Sequence, residues 1–279
     1  MLARARRLGV LVAAVCAAVV TGPAPVHAVE YPGPPPSSMV ALGDSITRAH
    51  NACGFFFGCV ARSWSTGWSQ SVHSHFRMIE SQNPAIDGHS HNNAADGARA
   101  ADLPGQARTA VGQGVDYVTV LIGANDACTR TEQAMTPVAS YRASIDEALA
   151  ILRDGLPGVR IALVSIPDLR HLWEIGSVDP DAVRLWQRQG TCRSMLANAT
   201  SQQPADVERR DRVRQRVVDF NRQLAEACAA YGPSCDYDDD AVFAYRFALD
   251  QLSMLDRFHP NGAGQDALGL VSYEAGFGW

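Results

Sequence analysis

Ser45, Asp256 and His259 are the side chains whose types and spacing could break a bond without help from another group. A serine hydroxyl is a poor nucleophile until a neighbouring base takes its proton, and an imidazole, which titrates near neutral pH, is the natural base. Asp256 lies three residues before His259. Within one turn of chain, that spacing lets a carboxylate accept the Nδ1 proton, fix the tautomer and stabilise the imidazolium that forms as the serine attacks. The implied chemistry is acyl transfer through a covalent acyl-enzyme. Taken singly, the motifs also have plain structural readings. Gly43-Asp44-Ser45 reads as a strand-to-helix turn with Ser45 as N-cap, Asn125 as an Asx-turn, and Asp256 to Pro260 as the start of a helix. Asp44 and Asp126 read as structural carboxylates that bond loop N–H groups.

What must position these residues is a set of short apolar strands alternating with helices. Met39 to Leu42, residues 115–123 and residues 159–166 are near-continuous apolar runs of the kind found in buried parallel strands. Between and after them, helical patterns are predicted over Trp64 to Ser81, Ala101 to Gly112, Val138 to Leu156 (opened by Thr136-Pro137), Arg184 to Asn198, Pro204 to Tyr231 and Gly262 to Tyr273. This alternation predicts an α/β three-layer sandwich, a doubly wound and mostly parallel sheet with helices on both faces. Such sheets carry their sites beyond the carboxyl ends of the strands. Gly43-Asp44-Ser45, Gly123-Ala124-Asn125-Asp126 and Asp256-Arg257-Phe258-His259-Pro260 would then converge on one rim.

These three motifs, in this order, resemble the SGNH hydrolases, also called GDSL esterases and lipases, from about Met39 to the C-terminus. Asn92 to Gly97 is similar to that family's second block, Ile46 stands where the GDSL name has leucine, and "IGANDAC" at 122–128 is most similar to the secreted phospholipase-B-like members. The resemblance implies a flavodoxin-like SGNH hydrolase fold and an oxyanion hole. Its donors would be the backbone N–H groups of Ser45 and Gly97 and the side-chain amide of Asn125. A glycine at 97 lets substrate approach the backbone, and a neutral amide at 125 cannot lose its proton. No G-x-S-x-G elbow occurs, which disfavours the other common serine-hydrolase architecture. The expected activity is a metal-independent and cofactor-independent serine esterase or lipase, acting on small acyl or lipid esters, phospholipid included. A polysaccharide O-acetyl esterase and a non-catalytic binding protein on a hydrolase fold are the alternatives.

Composition bounds the partners. Arg4, Arg6 and Arg7 precede an apolar run from Leu8 to Val20, and Val26-His27-Ala28 has the small-x-Ala form of a signal cleavage site. Residues 1–28 are therefore expected to be a secretory signal, 29–37 a proline-rich leader and 38–279 one hydrolase domain that acts outside the cell as a monomer. Loss of the signal takes the formal charge from −5 to about −8, which argues against nucleic acid. It also leaves six cysteines of seven. An even number in an exported chain reads as disulfides, and proximity favours Cys53 with Cys59 and Cys228 with Cys235, leaving Cys128 with Cys192. The first of these would fence Phe55, Phe56 and Phe57, of which at least one is expected to stay exposed as an apolar lip by the nucleophile, able to touch a lipid surface; packing as satellite core is the alternative. No C-x-x-C suggests zinc, residues 236–240 lack the glycine and distal glutamate of a calcium loop, and His73/His75 and His89/His91 are spaced by two, a poor fit to a helical ligand pair. The run of arginines from 209 to 216, interleaved with acids, reads as a solvated, salt-bridged helix face. Asn198-Ala199-Thr200 is a glycosylation sequon.

Overall fold

The computed structural model describes residues 33–279, so the expected signal segment lies outside the described residues. Five parallel strands, β1 (Met39–Gly43), β2 (Ser90–Asn92), β3 (Tyr117–Leu121), β4 (Arg160–Leu163) and β5 (Cys235–Tyr237), form one sheet in the order β2-β1-β3-β4-β5. The chain winds outward in both directions from β1 and β3, so a crevice opens between their carboxyl ends. All residues of β1 and β3 are buried, as expected of strands covered on both faces. Val40, Leu42, Val118 and Val120 point into the larger core with the helices Leu103–Gln113, Val138–Gly155 and Pro204–Tyr231. Met39 and Tyr117 point the other way, onto Phe76 and Ile79 of the helix His75–Glu80 and onto Phe277.

Several local expectations are corrected. The helix predicted over Trp64 to Ser81 is confined to His75–Glu80. The serines before it bond to the backbone instead: Ser63 Oγ accepts from the N–H groups of Ser65 and Thr66, and Ser74 Oγ caps the helix through Arg77 N–H at 3.1 Å. The helix predicted over Arg184 to Asn198 is two pieces, Pro180–Gln189 and Arg193–Leu196, separated where Gly190 ends the first in a left-handed C-cap. Thr136 makes no cap; Pro137 itself occupies the N-cap of Val138–Gly155. On the long helix the arginine run is only partly a solvated face. Arg212 pairs with Glu132 and Arg214 with Asp168, but Arg210 is fully buried with its guanidinium 4.2 Å from the centre of the Trp173 ring. In the acidic run, Asp238 is taken up by protein donors, accepting from Ser165 N–H, Ser165 Oγ–H and Val242 N–H. Burial pushes its carboxyl up to about 6, against those hydrogen bonds.

The disulfides are Cys53–Cys59, Cys128–Cys192 and Cys228–Cys235. No helix among the described residues is long and apolar enough to cross a membrane.

Candidate active site

The end of β1 is shaped by Gly43. Its φ of +147° is a backbone that side-chain-bearing residues rarely adopt, and a Cβ there would lie 2.2 Å from the Leu121 carbonyl oxygen of β3. Gln106 clamps the same residue, accepting from its N–H at 2.7 Å and donating to its carbonyl at 2.9 Å. The Gly43 carbonyl also accepts from Ala95 N–H, which ties the loop carrying Gly97 to the strand that leads into Ser45. Next, Asp44 Oδ1 accepts from Ile46 N–H at 2.9 Å and so turns the chain directly after Ser45. Asp44 is wholly buried, and burial pushes its carboxyl up to about 7 despite that N–H and the nearby His259. Asp126 has a similar position at the end of β3, where it accepts from Ala100 N–H at 2.9 Å. Both acids bond loop backbone, in keeping with a structural part.

Across the crevice, the segment before the last helix (Gly262–Glu274) brings His259 back to Ser45 over a separation of 214 residues. Ser45 Oγ lies 2.8 Å from His259 Nε2, and His259 Nδ1 lies 2.5 Å from Asp256 Oδ2. Asp256 also accepts from Phe258 N–H at 2.9 Å, His259 N–H at 3.1 Å and the Asn51 side-chain amide at 2.7 Å. Burial opposes ionisation of this carboxyl, but the His259 imidazole and the two backbone donors outweigh it and hold the group below the usual carboxylate range. An ionised carboxylate can only accept, so the Nδ1 proton faces Asp256 and the Nε2 lone pair faces the serine hydroxyl.

The expected anion donors stand on the same rim. Among the described residues no protein acceptor engages the N–H of Ser45 or of Gly97, and the Asn125 amide gives one hydrogen to the Ala98 carbonyl at 3.0 Å, leaving the other. Gly97 has φ +79° and open space where a Cβ would be, so it is backbone conformation that calls for glycine within the protein itself. Ser45, Gly97, Asn125, Asp256 and His259 all line one cleft of about 480 Å³. Phe56 lines it too, whereas Phe55 and Phe57 stack on each other outside it at 5.7 Å. Two cleft residues in contact with Asp256 or His259 were not anticipated from sequence. Asn51, in a left-handed conformation with φ +65°, supports Asp256; His50 stands beside His259 with ring centres 4.9 Å apart.

The sequence profile of the GDSL-like lipase/acylhydrolase family matches residues 39–270. The chain belongs to this family. Human and mouse "Phospholipase B1, membrane-associated" are related at 30% and 28% identity over 183 and 194 residues, which is 55% and 59% of this chain. The matched parts are only 12% and 13% of those much longer proteins. Solved structures with the same fold include an extracellular lipase from Streptomyces rimosus (TM-score 0.51, 18% identical, 85% of this chain and 99% of that one). A mutant of an acetyl-xylooligosaccharide esterase from Geobacillus is similar to the same degree (TM-score 0.52, 14% identical, 87% of this chain and 94% of that one). In this GDSL-type chain the family's glycine-aspartate-serine motif is the turn that presents Ser45 to His259.

The support around Asp256 leads to a first expectation. Each of its two oxygens faces only donors, so in Asp256→Asn the new NH₂ would point at an N–H or N–H₂ group whichever way the amide turns. The amide would also favour the wrong imidazole tautomer. The kcat of this variant should fall by about 10² to 10⁴ with KM little changed. A kcat within threefold of wild type would show that Asp256 does not hold the imidazole.

Proposed function

We propose that the protein is an exported serine esterase that cleaves acyl esters with an apolar acyl part, forming an acyl-enzyme on Ser45. The observation that carries this reading is the continuous relay Ser45 Oγ to His259 Nε2 and His259 Nδ1 to Asp256, with uncommitted N–H groups beside it. In the first half-reaction Ser45 Oγ attacks the ester carbon while its proton passes to His259 Nε2. The tetrahedral oxyanion is held by Ser45 N–H, Gly97 N–H and the Asn125 amide. Collapse expels the alcohol, which takes the proton back from His259. A water then repeats the sequence and frees the acid. The three disulfides support an oxidising location, consistent with an N-terminal export signal. A fluorophosphonate that labels wild type at Ser45, and not Ser45→Ala, tests the nucleophile.

The apolar surfaces near Ser45 support an acyl group longer than acetyl. Phe258 lines both the cleft and a small apolar cavity of about 40 Å³ bounded also by Ile46, Ala124, Leu172, Ile175 and Phe247. On the outer side, Phe55, Phe56 and Phe57 are 63%, 67% and 53% exposed, which favours an apolar lip over satellite core. Their loop is closed by Cys53–Cys59 and by the antiparallel bridge between His50 and Gly58, so the rings are presented on a short, braced tip. Burying one such ring against an acyl chain or lipid surface favours binding by about 1 to 3 kcal/mol. Replacing Phe56 and Phe57 together with serine should lower kcat/KM at least tenfold on palmitoyl esters or phosphatidylcholine dispersions, and less than threefold on soluble acetyl esters. An equal loss on both, with a lower melting temperature, would show that the rings serve packing.

A further inference from the structure

The cleft contains a second histidine–carboxylate pair outside the relay. His50 Nδ1 lies 2.8 Å from Asp96 Oδ2, and Asp96 Oδ1 lies 3.6 Å from Arg48 Nε. The imidazole stands tilted at 49° to that of His259 with ring centres 4.9 Å apart. His50 N–H donates to the Ser45 carbonyl at 2.9 Å, so the ring is fixed at its base to the nucleophile's own turn and at Nδ1 by Asp96. The side chain is 21% exposed and lines the cleft, and among the described residues no protein group bonds its Nε2. An imidazole oriented at one nitrogen and open at the other, beside the reacting atoms, is a built hydrogen-bonding site.

Its place decides what it would meet. In acyl transfer the departing alcohol receives its proton from the base that deprotonated the serine, so the alcohol part of the ester lies against His259. A ring beside His259 therefore faces the alcohol part, while Gly97 and Asn125 face the carbonyl oxygen. The pair His50 and Asp96 makes that part of the cleft polar, and Gln189 and Thr191 add further polar groups to its lining.

Resting on the esterase reading above, we propose that His50, oriented by Asp96, is a specificity-determining residue that hydrogen-bonds a free hydroxyl on the alcohol part, making the enzyme selective for esters of polyols. The shared chemistry is a hydroxyl near the ester oxygen, which glycerides and sugar esters both supply. In the tautomer that gives Nδ1–H to Asp96, His50 Nε2 accepts a hydrogen bond from the substrate hydroxyl.

The test holds the acyl chain constant and varies the alcohol: 1-monobutyrylglycerol, 6-O-butyrylglucose and propyl butyrate, with kcat/KM measured for wild type, His50→Phe, His50→Gln and Asp96→Asn. Wild type should prefer at least one polyol ester over propyl butyrate by tenfold or more. That ratio should fall about tenfold in His50→Phe, fall less in Asp96→Asn, and be partly restored in His50→Gln, whose amide can still bond a hydroxyl. Selectivity for the glyceryl ester alone identifies a glyceride, and for the glucosyl ester alone a sugar ester. A ratio unchanged in His50→Phe, whatever the absolute rates and melting temperature, overturns the proposal, as does a wild type with no polyol preference. A wild type that cleaves none of the three esters and takes no fluorophosphonate label overturns the esterase reading itself, a result distinct from a labelled, active enzyme without selectivity.

Discussion

Ser45→Ala should lose about 10⁴- to 10⁶-fold in kcat on every ester the wild type cleaves, with a melting temperature within about 2 °C of wild type. The loss is large because, among the described residues, Ser45 Oγ is the hydroxyl that bonds His259: the imidazole has Asp256 at one nitrogen and Ser45 Oγ at the other. Residual rate above water would come from the anion donors and the cleft, which remain intact. Stability should hold because, among the described residues, Oγ has the imidazole as its hydrogen-bond partner, at the cleft, and the turn around Ser45 is made by backbone groups and by Asp44. His259→Ala should be nearly as severe, and the double variant no worse than the more damaged single one, since the residues act as a unit. Turnover in Ser45→Ala within tenfold of wild type would exclude the acyl-enzyme route. A large fall in melting temperature would show instead that Ser45 is chiefly a structural cap.

Much of this site was legible because its residues sit where a parallel sheet must put them. An apolar run that ends in Gly-Asp-Ser or Gly-Ala-Asn-Asp is read without knowing the rest of the fold, since strand ends share one rim. His259 and Asp256 were legible for a different reason, their fixed spacing of three. The residues that escaped were those whose meaning depends on contacts distant in sequence. Asn51 supports Asp256 from 205 positions away, and His50 meets Asp96 across 46. Neither carries a periodic or motif signal. The strands β2 and β5, each three residues long, were also missed, because Ser90–Asn92 and Cys235–Tyr237 are too short to show an apolar run and owe their conformation to the neighbours they pair with. The reverse error occurred at Trp64 to Ser81, where apolar spacing suggested a longer helix than serine-to-backbone bonding permits.

The bond between Cys128 and Cys192 should matter more to stability than either local disulfide. It joins residues 64 apart, whereas Cys53–Cys59 and Cys228–Cys235 close separations of six and seven. In a chain-entropy account a loop of that length contributes about 4 kcal/mol and each short one about 2. For a chain of this size 4 kcal/mol corresponds to a melting temperature about 10 °C lower. The consequence for function follows from position: both cysteines line the cleft at Ser45, and Cys128 ends the helical turn Ala124–Ala127 that carries Asn125. Hydrogen bonds between Thr129 and Ser194, with Ser194 Oγ donating to the Ala127 carbonyl at 2.7 Å, continue the same junction, so it should loosen without parting when the sulfurs are removed. Cys128→Ala/Cys192→Ala should therefore lose stability first and, at temperatures where it is still folded, show a lower kcat as the Asn125 amide drifts from the oxyanion position proposed for it. Urea unfolding of the three paired alanine variants gives the ordering directly. A loss from either local pair equal to or larger than that from Cys128/Cys192 would mean that local geometry, and not restriction of the unfolded chain, sets what these bonds contribute.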